Sequence, residues 1–221
     1  MDRPRGAPFR AGSLSAMKIA PQGFRYIGLL LVLTVIAFLI GPLRWLALPL
    51  AALAAFVAFF FRDPTRLPPA DPKLLVSAAD GKVVDVGPSA SDPSRQQIGV
   101  FLSILDVHIN RSPLGAVVSR IRYTPGSFFA AYKKEAATQN ERNEIELLDG
   151  DFRVTVRQIA GVVARRIVCA VAENDRLERG QRFGLIQFGS RTEVVLPRDV
   201  EILVRAGDRV KGGETAIARR P

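Results

Sequence analysis

Two apolar runs separated by a short turn dominate residues 24–61. Almost every residue there is hydrophobic, and the run is broken only by GPLR at residues 41–44. The two pieces, residues 26–40 and 45–61, are each somewhat shorter than the roughly 20 residues that cross a bilayer as a helix, but flanking residues can extend both. The pattern predicts a membrane hairpin that either spans the bilayer or dips into it from one face.

Basic residues flank this hairpin and predict its orientation. They lie in the tail of residues 1–23 and just after the hairpin, whereas the turn carries Arg44 alone. Because Lys and Arg are retained on the cytoplasmic side, both ends of the hairpin and the domain that follows are predicted to be cytoplasmic, at the cell membrane. The same charges attract anionic lipid headgroups. Within the tail, Met17 is an alternative start to Met1.

The pattern changes after the hairpin. Residues 62–73, RDPTRLPPADPK, predict an extended proline-rich linker. From residue 74 to 221 short apolar runs alternate with turn residues, which is typical of a compact antiparallel β domain. The strand candidates cover residues 74–77, 82–86, 97–102, 117–123, 152–158, 162–172, 182–187, 193–196, 202–204 and 215–218.

Three segments of this domain are predicted as something other than strand. Residues 127–138 favour a helical turn or an irregular loop, and residues 89–96 a loop that is either disordered or covers the site. The polar segment AATQNERN, residues 136–143, is interpreted by itself as a solvated loop.

The C-terminal sequence adds a fold expectation. VRAGDRVKGGETAIA, residues 204–218, resembles the half-motif of barrel-sandwich (lipoyl- or biotinyl-like) domains. The expected fold is therefore mainly β, with a barrel-sandwich-like catalytic domain preceded by the two-segment hydrophobic hairpin. A lipoyl or biotinyl carrier would present a lysine at a hairpin tip, and here that position holds Gly189-Ser190. The carrier function is therefore disfavoured.

The composition of the chain excludes several kinds of site and partner. The chain has 31 Lys+Arg against 21 Asp+Glu, with one cysteine, Cys169, and one histidine, His108. A disulfide framework is excluded, and a zinc site built from protein ligands is nearly so, so no metal is predicted. Nucleic acid is not a predicted partner, because no basic run is interleaved with aromatic residues. Anionic membrane lipid is the better candidate for a basic protein with this hairpin.

Three short stretches hold the candidate chemistry, and each has an ordinary structural interpretation beside it. His108 follows an apolar run, and a solitary histidine is more often a structural residue with its hydrogen bonds satisfied than a catalyst. It is nevertheless the one side chain that exchanges protons easily near neutral pH. Asp80 precedes Gly81, as in a common Asp-Gly turn. Gly189 interrupts a strand-like run, which marks either a bulge or a backbone that something approaches, and Ser190 beside it is either idle or a nucleophile.

Together these stretches resemble one family. ADG at 79–81, DVHINRSP at 106–113, YTPGSFFAAYKKEAATQNERN at 123–143 and FGS at 188–190 occur in the order and spacing of the phosphatidylserine decarboxylases. The chain is most similar to the short bacterial and archaeal form, which carries two apolar segments before its catalytic domain. The resemblance runs from about Tyr26 to the C-terminus.

The resemblance implies a self-cleaving proenzyme. Ser190 Oγ would attack the Gly189 carbonyl, and β-elimination followed by hydrolysis would leave a pyruvoyl group, formed from Ser190, at the new N-terminus. Gly189 suits this role because no Cβ shields its carbonyl. A hydroxyl needs a base to become a good nucleophile, and His108 oriented by Asp80 is the candidate by the logic of catalytic triads.

One departure from the family leaves the cleavage base open. Long-form members carry a second histidine three residues after the first, where this chain has Arg111, and their cleavage base is assigned to that second histidine. Either His108 serves both maturation and turnover, or Asp80 acts through water with Arg111 assisting. We favour the dual role of His108.

The implied reaction is the decarboxylation of phosphatidylserine to phosphatidylethanolamine and CO2. The pyruvoyl carbonyl would form a Schiff base with the substrate amine and accept electrons as CO2 leaves. His108 would protonate the carbanion or orient the carboxylate. The candidates for substrate binding are Arg111, Asn110 and Arg191, since guanidinium groups suit phosphate and carboxylate. Phosphatidylserine and anionic lipid are the implied partners, and a homodimer would be unsurprising.

Three other functions stay open at this point. The same chemistry could act on an archaetidylserine-type lipid, because the headgroup is shared. A non-enzymatic, membrane-anchored barrel-sandwich adaptor would explain the β domain and hairpin, but it would stay one uncut chain. A soluble pyruvoyl decarboxylase for a small amino acid ranks last, because it leaves residues 24–61 unexplained.

Overall fold

The computed structural model describes residues 18–130, 136–162, 166–187 and 190–221. The chain divides into two compact units, one ending at Thr65 and the other beginning at Arg66, inside the predicted linker. Several predictions fall wholly or partly on residues outside those ranges. They concern the tail before Lys18, parts of the segments 127–138 and 162–172, and Gly189 of the predicted cleavage site.

The N-terminal unit is a pair of apolar helices. Helix α1 covers Pro21–Leu39, a 3₁₀ turn covers Gly41–Leu46, and helix α2 covers Ala47–Phe60. Pro21 is placed at the first turn, where its missing N–H costs nothing. Hydrophobic side chains point outward on both helices, as Leu39 and Leu48 show with exposures of 74% and 79%. The segments Pro21–Leu39 and Gly41–Phe60 are long and apolar enough to cross a membrane, so the unit is compatible with membrane association.

The two ends of this helical unit meet. Strand β1, Lys18–Ile19, pairs antiparallel with β2, Arg62–Asp63. Next to this pair, the Ala20 N–H donates a 2.8 Å hydrogen bond to the Phe61 carbonyl. Both ends of the helix pair therefore lie at the same end of the unit, as a membrane hairpin requires.

The second unit is built almost entirely from antiparallel strands. Its described elements are β3 Leu74–Val76, β4 Gly81–Ser89, β5 Asp92–Leu102, β6 Ile109–Arg111, β7 Ala116–Thr124, α3 Ala136–Gln139, β8 Arg142–Asp149, β9 Phe152–Ile159, β10 Arg166–Cys169, β11 Arg176–Leu177, β12 Arg182–Gln187, β13 Ser190–Leu196, β14 Glu201–Ile202, β15 Arg209–Val210 and β16 Ala216–Arg219. The predicted mainly β fold with two apolar helices before it is confirmed.

These strands form three sheets. The largest has eight strands in the order β11-β7-β8-β9-β13-β5-β4-β15 and curls into a half-barrel. Two three-stranded sheets, β10-β12-β6 and β14-β16-β3, accompany it. The chain passes from one sheet to another between β12 and β13, which is where the predicted cleavage site lies. This crossing is the feature of the fold that matters most for the site.

Alternation along the strands of the large sheet separates an apolar face from a charged one. In β13, Val194 and Leu196 join the hydrophobic core, and Val154 and Val156 of β9 do the same. The residues between them point to the opposite face, because successive side chains of a strand alternate. Core positions such as Val194 are fully buried, so the register of β13 is fixed on both sides.

One long strand was not predicted from the sequence, and two polar segments differ from their predictions. Strand β8 was not predicted, because its inward residues Ile145 and Leu147 are outnumbered by charged neighbours that face the other way. The interpretation of residues 136–143 as a solvated loop was wrong, since Asn140 and Asn143 are buried. Residues 89–96 belong to the β4–β5 hairpin and are not a separate loop.

Candidate active site

Ser190 is the first residue of β13, and its hydroxyl is buried without a partner. The strand is hydrogen-bonded to β5 on one side and to β9 on the other, with Ser190 opposite Leu102. Ser190 is fully buried, and among the described residues its Oγ has no hydrogen-bond partner. A buried hydroxyl without a partner costs about 1–3 kcal/mol, so its retention calls for a functional reason.

A second unpartnered polar group lies just before the predicted cleavage site. Gln187 ends β12, and its Nε2 is buried with no hydrogen-bond partner in the described part of the chain. Gln187 and Ser190, the neighbours in sequence of residues 188 and 189, thus each carry a buried polar atom with no partner among the described residues. The sequence pattern gave no sign of Gln187, since a polar residue at the end of a strand is unremarkable.

The backbone brings His108 to the same connection. The Ile186 N–H donates a 3.2 Å hydrogen bond to the His108 carbonyl, so His108 lies beside the end of β12. His108 immediately precedes β6, which pairs with β12 through Ile109 and Asn110. Residues about 80 apart in sequence are thereby gathered at the crossing between sheets.

The surroundings of His108 fix its orientation and its tautomer. The ring is buried, and Nδ1 lies 2.9 Å from the Asp106 carbonyl oxygen. A carbonyl only accepts hydrogen bonds, so Nδ1 carries the proton and Nε2 of the neutral ring has a lone pair. The position that a triad would give to Asp80 on Nδ1 is thus taken by a backbone carbonyl.

The loop that supplies this carbonyl is itself held in place. The Asp106 carboxylate accepts hydrogen bonds from the Ser103 N–H at 2.8 Å and the Ser103 hydroxyl at 2.7 Å. Its other oxygen accepts from Arg209 at 3.0 Å. Asp106 therefore orients His108 through the backbone, a role that the sequence did not reveal.

A buried chain of amides connects β6 to β13. Asn110 Nδ2 donates to Thr192 Oγ1 at 2.9 Å, and Asn110 Oδ1 accepts from Gln158 Nε2 at 2.9 Å. Gln158 Oε1 in turn accepts from Asn143 Nδ2 at 3.0 Å. Both ends of the Asn110 amide are thus used inside the protein, which favours a positioning role over the predicted contact with substrate.

The bond between Asn110 and Thr192 also joins the two segments that carry His108 and Ser190. His108 is two residues before Asn110, and Ser190 is two residues before Thr192. Side chains two apart on an extended segment lie on the same face. Ser190 and Thr192 therefore share one face of β13, and the Asn110–Thr192 bond brings the segment that follows His108 to that face.

Asp80 lies in a separate group of charges near the start of β4. Its Oδ1 accepts a 2.8 Å hydrogen bond from the Gly212 N–H, and its Oδ2 is 2.6 Å from Arg66 Nη2. Burial raises the pKa of Asp80, while the charge of Arg66, the Gly212 N–H and the charge of Arg111 work in the opposite direction. The net shift is upward, which makes this carboxyl a better proton acceptor than a surface aspartate.

The glycine after Asp80 is required by the fold. Gly81 has a φ of +150°, and a Cβ added there would lie 2.1 Å from the Phe101 carbonyl oxygen. A larger residue would have to push β4 away from β5. The ADG motif therefore combines a close strand approach with the placement of the carboxylate.

Arg111 and Arg191, both predicted to bind substrate, are placed very differently. Arg111 is buried, donates from Nη1 to the Gly180 carbonyl at 3.1 Å and contributes to the field at Asp80. Arg191 points to the charged face opposite Ser190 Oγ, where Nη2 pairs with Asp85 at 2.5 Å and Nε with Glu193 at 2.8 Å. Arg191 thus has a structural position, and Arg111 is the better candidate for substrate.

No group of three or more His, Cys, Asp or Glu side chains that could hold a metal ion occurs among the described residues. The polar groups that do converge near the crossing are a serine hydroxyl, an imidazole and amides. Such a set suits nucleophilic and proton-transfer chemistry.

Comparison with known proteins identifies the family. The profile of the family described as phosphatidylserine decarboxylase matches residues 53–218. A phosphatidylserine decarboxylase proenzyme of Symbiobacterium thermophilum is 48% identical over 209 residues, 92% of this chain and 96% of that protein. Proteins of the same name from Beijerinckia indica and Trichlorobacter lovleyi are 44% and 45% identical, over 91% of this chain and 89% and 96% of theirs.

The domain is mainly β, two apolar helices precede it in the sequence, and a buried serine lies where the chain crosses from one sheet to another. These features agree with the class of protein that the four motifs indicate. The chain belongs to the phosphatidylserine decarboxylase family. The predicted resemblance is therefore confirmed, and with it the prediction that the chain is an enzyme of this class.

The amide chain generates the first testable prediction. Thr192→Val keeps the shape of the side chain but leaves the buried Asn110 Nδ2 without its acceptor, so we expect a loss of about 1–3 kcal/mol in the free energy of unfolding. The measurement is denaturant unfolding, with Ser190→Ala in both proteins so that uncut chains are compared. Thr192→Ser keeps the hydroxyl and is the control, and a valine variant no less stable than the serine variant would contradict the assignment.

Proposed function

We propose that this protein is a phosphatidylserine decarboxylase made as a proenzyme, which cuts its own chain between Gly189 and Ser190. The observation that carries the proposal is the buried hydroxyl of Ser190 at the start of β13, which has no hydrogen-bond partner in the described part of the chain, in a member of this family. The location of that hydroxyl beside the His108 segment supplies a base within the same region.

The proposed cleavage proceeds through an ester intermediate. Ser190 Oγ attacks the Gly189 carbonyl carbon while its proton goes to a base, and the C–N bond of the peptide breaks, so that an ester replaces the amide. Removal of the Ser190 α-proton then breaks the Cβ–Oγ bond, which releases residues 1–189 with a C-terminal carboxylate. The dehydroalanine that remains gains water and loses ammonia to become a pyruvoyl group.

His108 is the proposed base for the first step. Its Nδ1 lies 2.9 Å from the Asp106 carbonyl oxygen, which can only accept a hydrogen bond, so Nε2 is the ring nitrogen proposed to accept the proton. The same ring is proposed to deliver a proton at Cα of the substrate after loss of CO2. Asp80 is proposed to support the imidazolium electrostatically, because its described hydrogen bonds go to Arg66 and Gly212.

The position of residue 190 fits the group that cleavage would create there. It is fully buried at the start of β13, and the pairing of this strand with β5 and β9 holds the residue in a fixed position. The pyruvoyl group supplies a carbonyl that accepts the electrons released with CO2. Arg111 is proposed to hold the carboxylate or phosphate of phosphatidylserine, and Asn110 to position β6 against β13.

The helix pair gives this reaction its location. A lipid substrate with two acyl chains stays at the membrane, and an N-terminal hairpin of apolar helices would keep the catalytic unit at the same surface. The basic residues Lys18 and Arg62 at the base of the hairpin are proposed to contact anionic headgroups. The predicted homodimer and the absence of a nucleic-acid partner stay predictions.

Substitution of the proposed nucleophile tests the function. Ser190→Ala is expected to stay one chain and to have no measurable decarboxylase activity on phosphatidylserine vesicles, because neither the ester nor the pyruvoyl group can form. The measurements are gel electrophoresis and the release of labelled CO2. Ser119→Ala removes another partly buried hydroxyl, which bonds to Glu146 in β8, and should be cut and active. Cleavage of the Ser190→Ala chain would overturn the proposal.

The sidedness of the catalytic unit has its own test. Because basic residues flank the hairpin and Arg44 alone marks its turn, the C-terminus is expected in the cytoplasm. In a bacterial host, green fluorescent protein fused after Pro221 should fluoresce, and alkaline phosphatase fused at the same point should be inactive. The opposite pair of results would place the catalytic unit outside the cytoplasm.

A further inference from the structure

Arg66 is the first residue of the catalytic unit after the helix pair, and it is bound to the Asp80 group. Its Nη2 is 2.6 Å from Asp80 Oδ2, and its Nη1 is 3.0 Å from Glu214 Oε2. The Arg66 and Asp80 side chains are only 10% and 14% exposed. A linker residue with no catalytic motif around it therefore makes a nearly buried ion pair with a candidate catalytic carboxylate.

The pair is not an ordinary surface salt bridge. Exposed ion pairs contribute little to stability, whereas removal of one partner of a buried pair leaves an uncompensated charge and is strongly destabilising. The Nε of Arg66 is also buried and has no hydrogen-bond partner among the described residues. Burial of Nε without a partner costs free energy, and the two carboxylate contacts of Arg66 offset that cost.

We propose that Arg66 is a positioning residue for self-cleavage, which holds the Asp80 carboxylate in place beside the Gly212 N–H. Glu214 anchors the guanidinium from the other side, so the three side chains form a bridge between the linker, the start of β4 and the turn before β16. The inference rests on the proposed function, because the role of Asp80 does.

The charges around Asp80 predict what happens without Arg66. Arg66 and Arg111 lower the pKa of Asp80, while burial and the neighbouring Asp106 raise it. Without Arg66, less positive charge counteracts the effect of burial on Asp80. The pKa of Asp80 therefore rises further, and the carboxyl is protonated at higher pH. Any cleavage step that needs ionised Asp80 then loses rate from the acid side, and the acid limb of its pH profile moves to higher pH.

The chain offers a matched control in Arg179. It also holds the linker, by donating to the carbonyls of Pro69, Asp71 and Leu74, the last at 2.9 Å. None of those contacts involves Asp80. Loss of Arg179 should therefore loosen the linker to a similar degree without a direct effect on that carboxylate.

The experiment follows the rate of self-cleavage of newly made full-length chain against pH. Arg66→Met is expected to slow cleavage about tenfold or more at neutral pH, the scale of a hydrogen bond to a charged group, and to move the acid limb upward. Arg66→Lys, which keeps the charge, should restore the limb most of the way. Arg179→Met should keep the wild-type limb.

Two results would overturn the inference. The first is an Arg66→Met rate reduced by the same factor at every pH, which is what a purely structural loss would give. The second is an equal shift of the acid limb in Arg179→Met. If the wild-type chain itself stays uncut, the proposed function fails, and the role of Arg66 in cleavage fails with it.

A second measurement tests the pair without cleavage. In Ser190→Ala chains, the loss of unfolding free energy caused by Arg66→Met should be largest where Asp80 is ionised, and should shrink as pH falls and that carboxyl is protonated. When Arg66 and Arg66→Met are compared again in an Asp80→Asn background, only the contribution of Glu214 to the ion pair remains. An identical pH dependence in both backgrounds would show that Arg66 and Asp80 are not coupled.

Discussion

The pairing of β13 on both sides is the constraint on which the site depends. Strand β5 pairs with β13 from Ser190 to Leu196 and β9 pairs with it from Arg191 to Val195, so the Ser190 side chain is held in the interior. There its Oγ has no hydrogen-bond partner among the described residues. The preceding strand, β12, belongs to another sheet. The predicted scissile bond therefore lies in a two-residue passage between sheets whose ends the fold holds on both sides.

The same pairing explains how a cut chain would stay together. Of the strands after residue 189, β13 pairs with β5 and β9, β15 with β4, and β16 with β3. Each partner belongs to the part of the chain before the cleavage site. A mature enzyme of two pieces would thus retain the sheets of the uncut chain, with the new terminus still buried at the start of β13.

Two polar groups of different character support the reacting residues. The amide chain from Asn143 through Gln158 and Asn110 to Thr192 is fully hydrogen-bonded, and it locks β6 against β13. The charged group around Asp80 contains opposing effects, with burial raising the pKa of the carboxyl and two arginines lowering it. The amide chain fixes the geometry of β6 and β13, and the charges around Asp80 set how readily its carboxylate holds a proton.

Much of the fold and the family were predictable from sequence, and the failures have physical causes. The apolar helices and most strands follow from patterning, whereas β8 was missed because charges on its outer face obscured the alternation. Ser190, His108 and Asp80 were found through motifs. Arg66, Gln187 and Asp106 were not, because their roles arise from contacts between distant segments or through a backbone carbonyl. The predicted substrate contact of Arg191 depended on sequence proximity to Ser190, but adjacent strand residues face opposite sides.

Self-cleavage at the start of β13 is the central claim, and the intact mass of the purified wild-type protein tests it most directly. The account predicts two species, residues 1–189 and residues 190–221, with the second lighter by one ammonia than its sequence requires. A single species with the mass of all 221 residues, from protein in which maturation was not blocked, would contradict it and leave a membrane-anchored β domain without its cofactor.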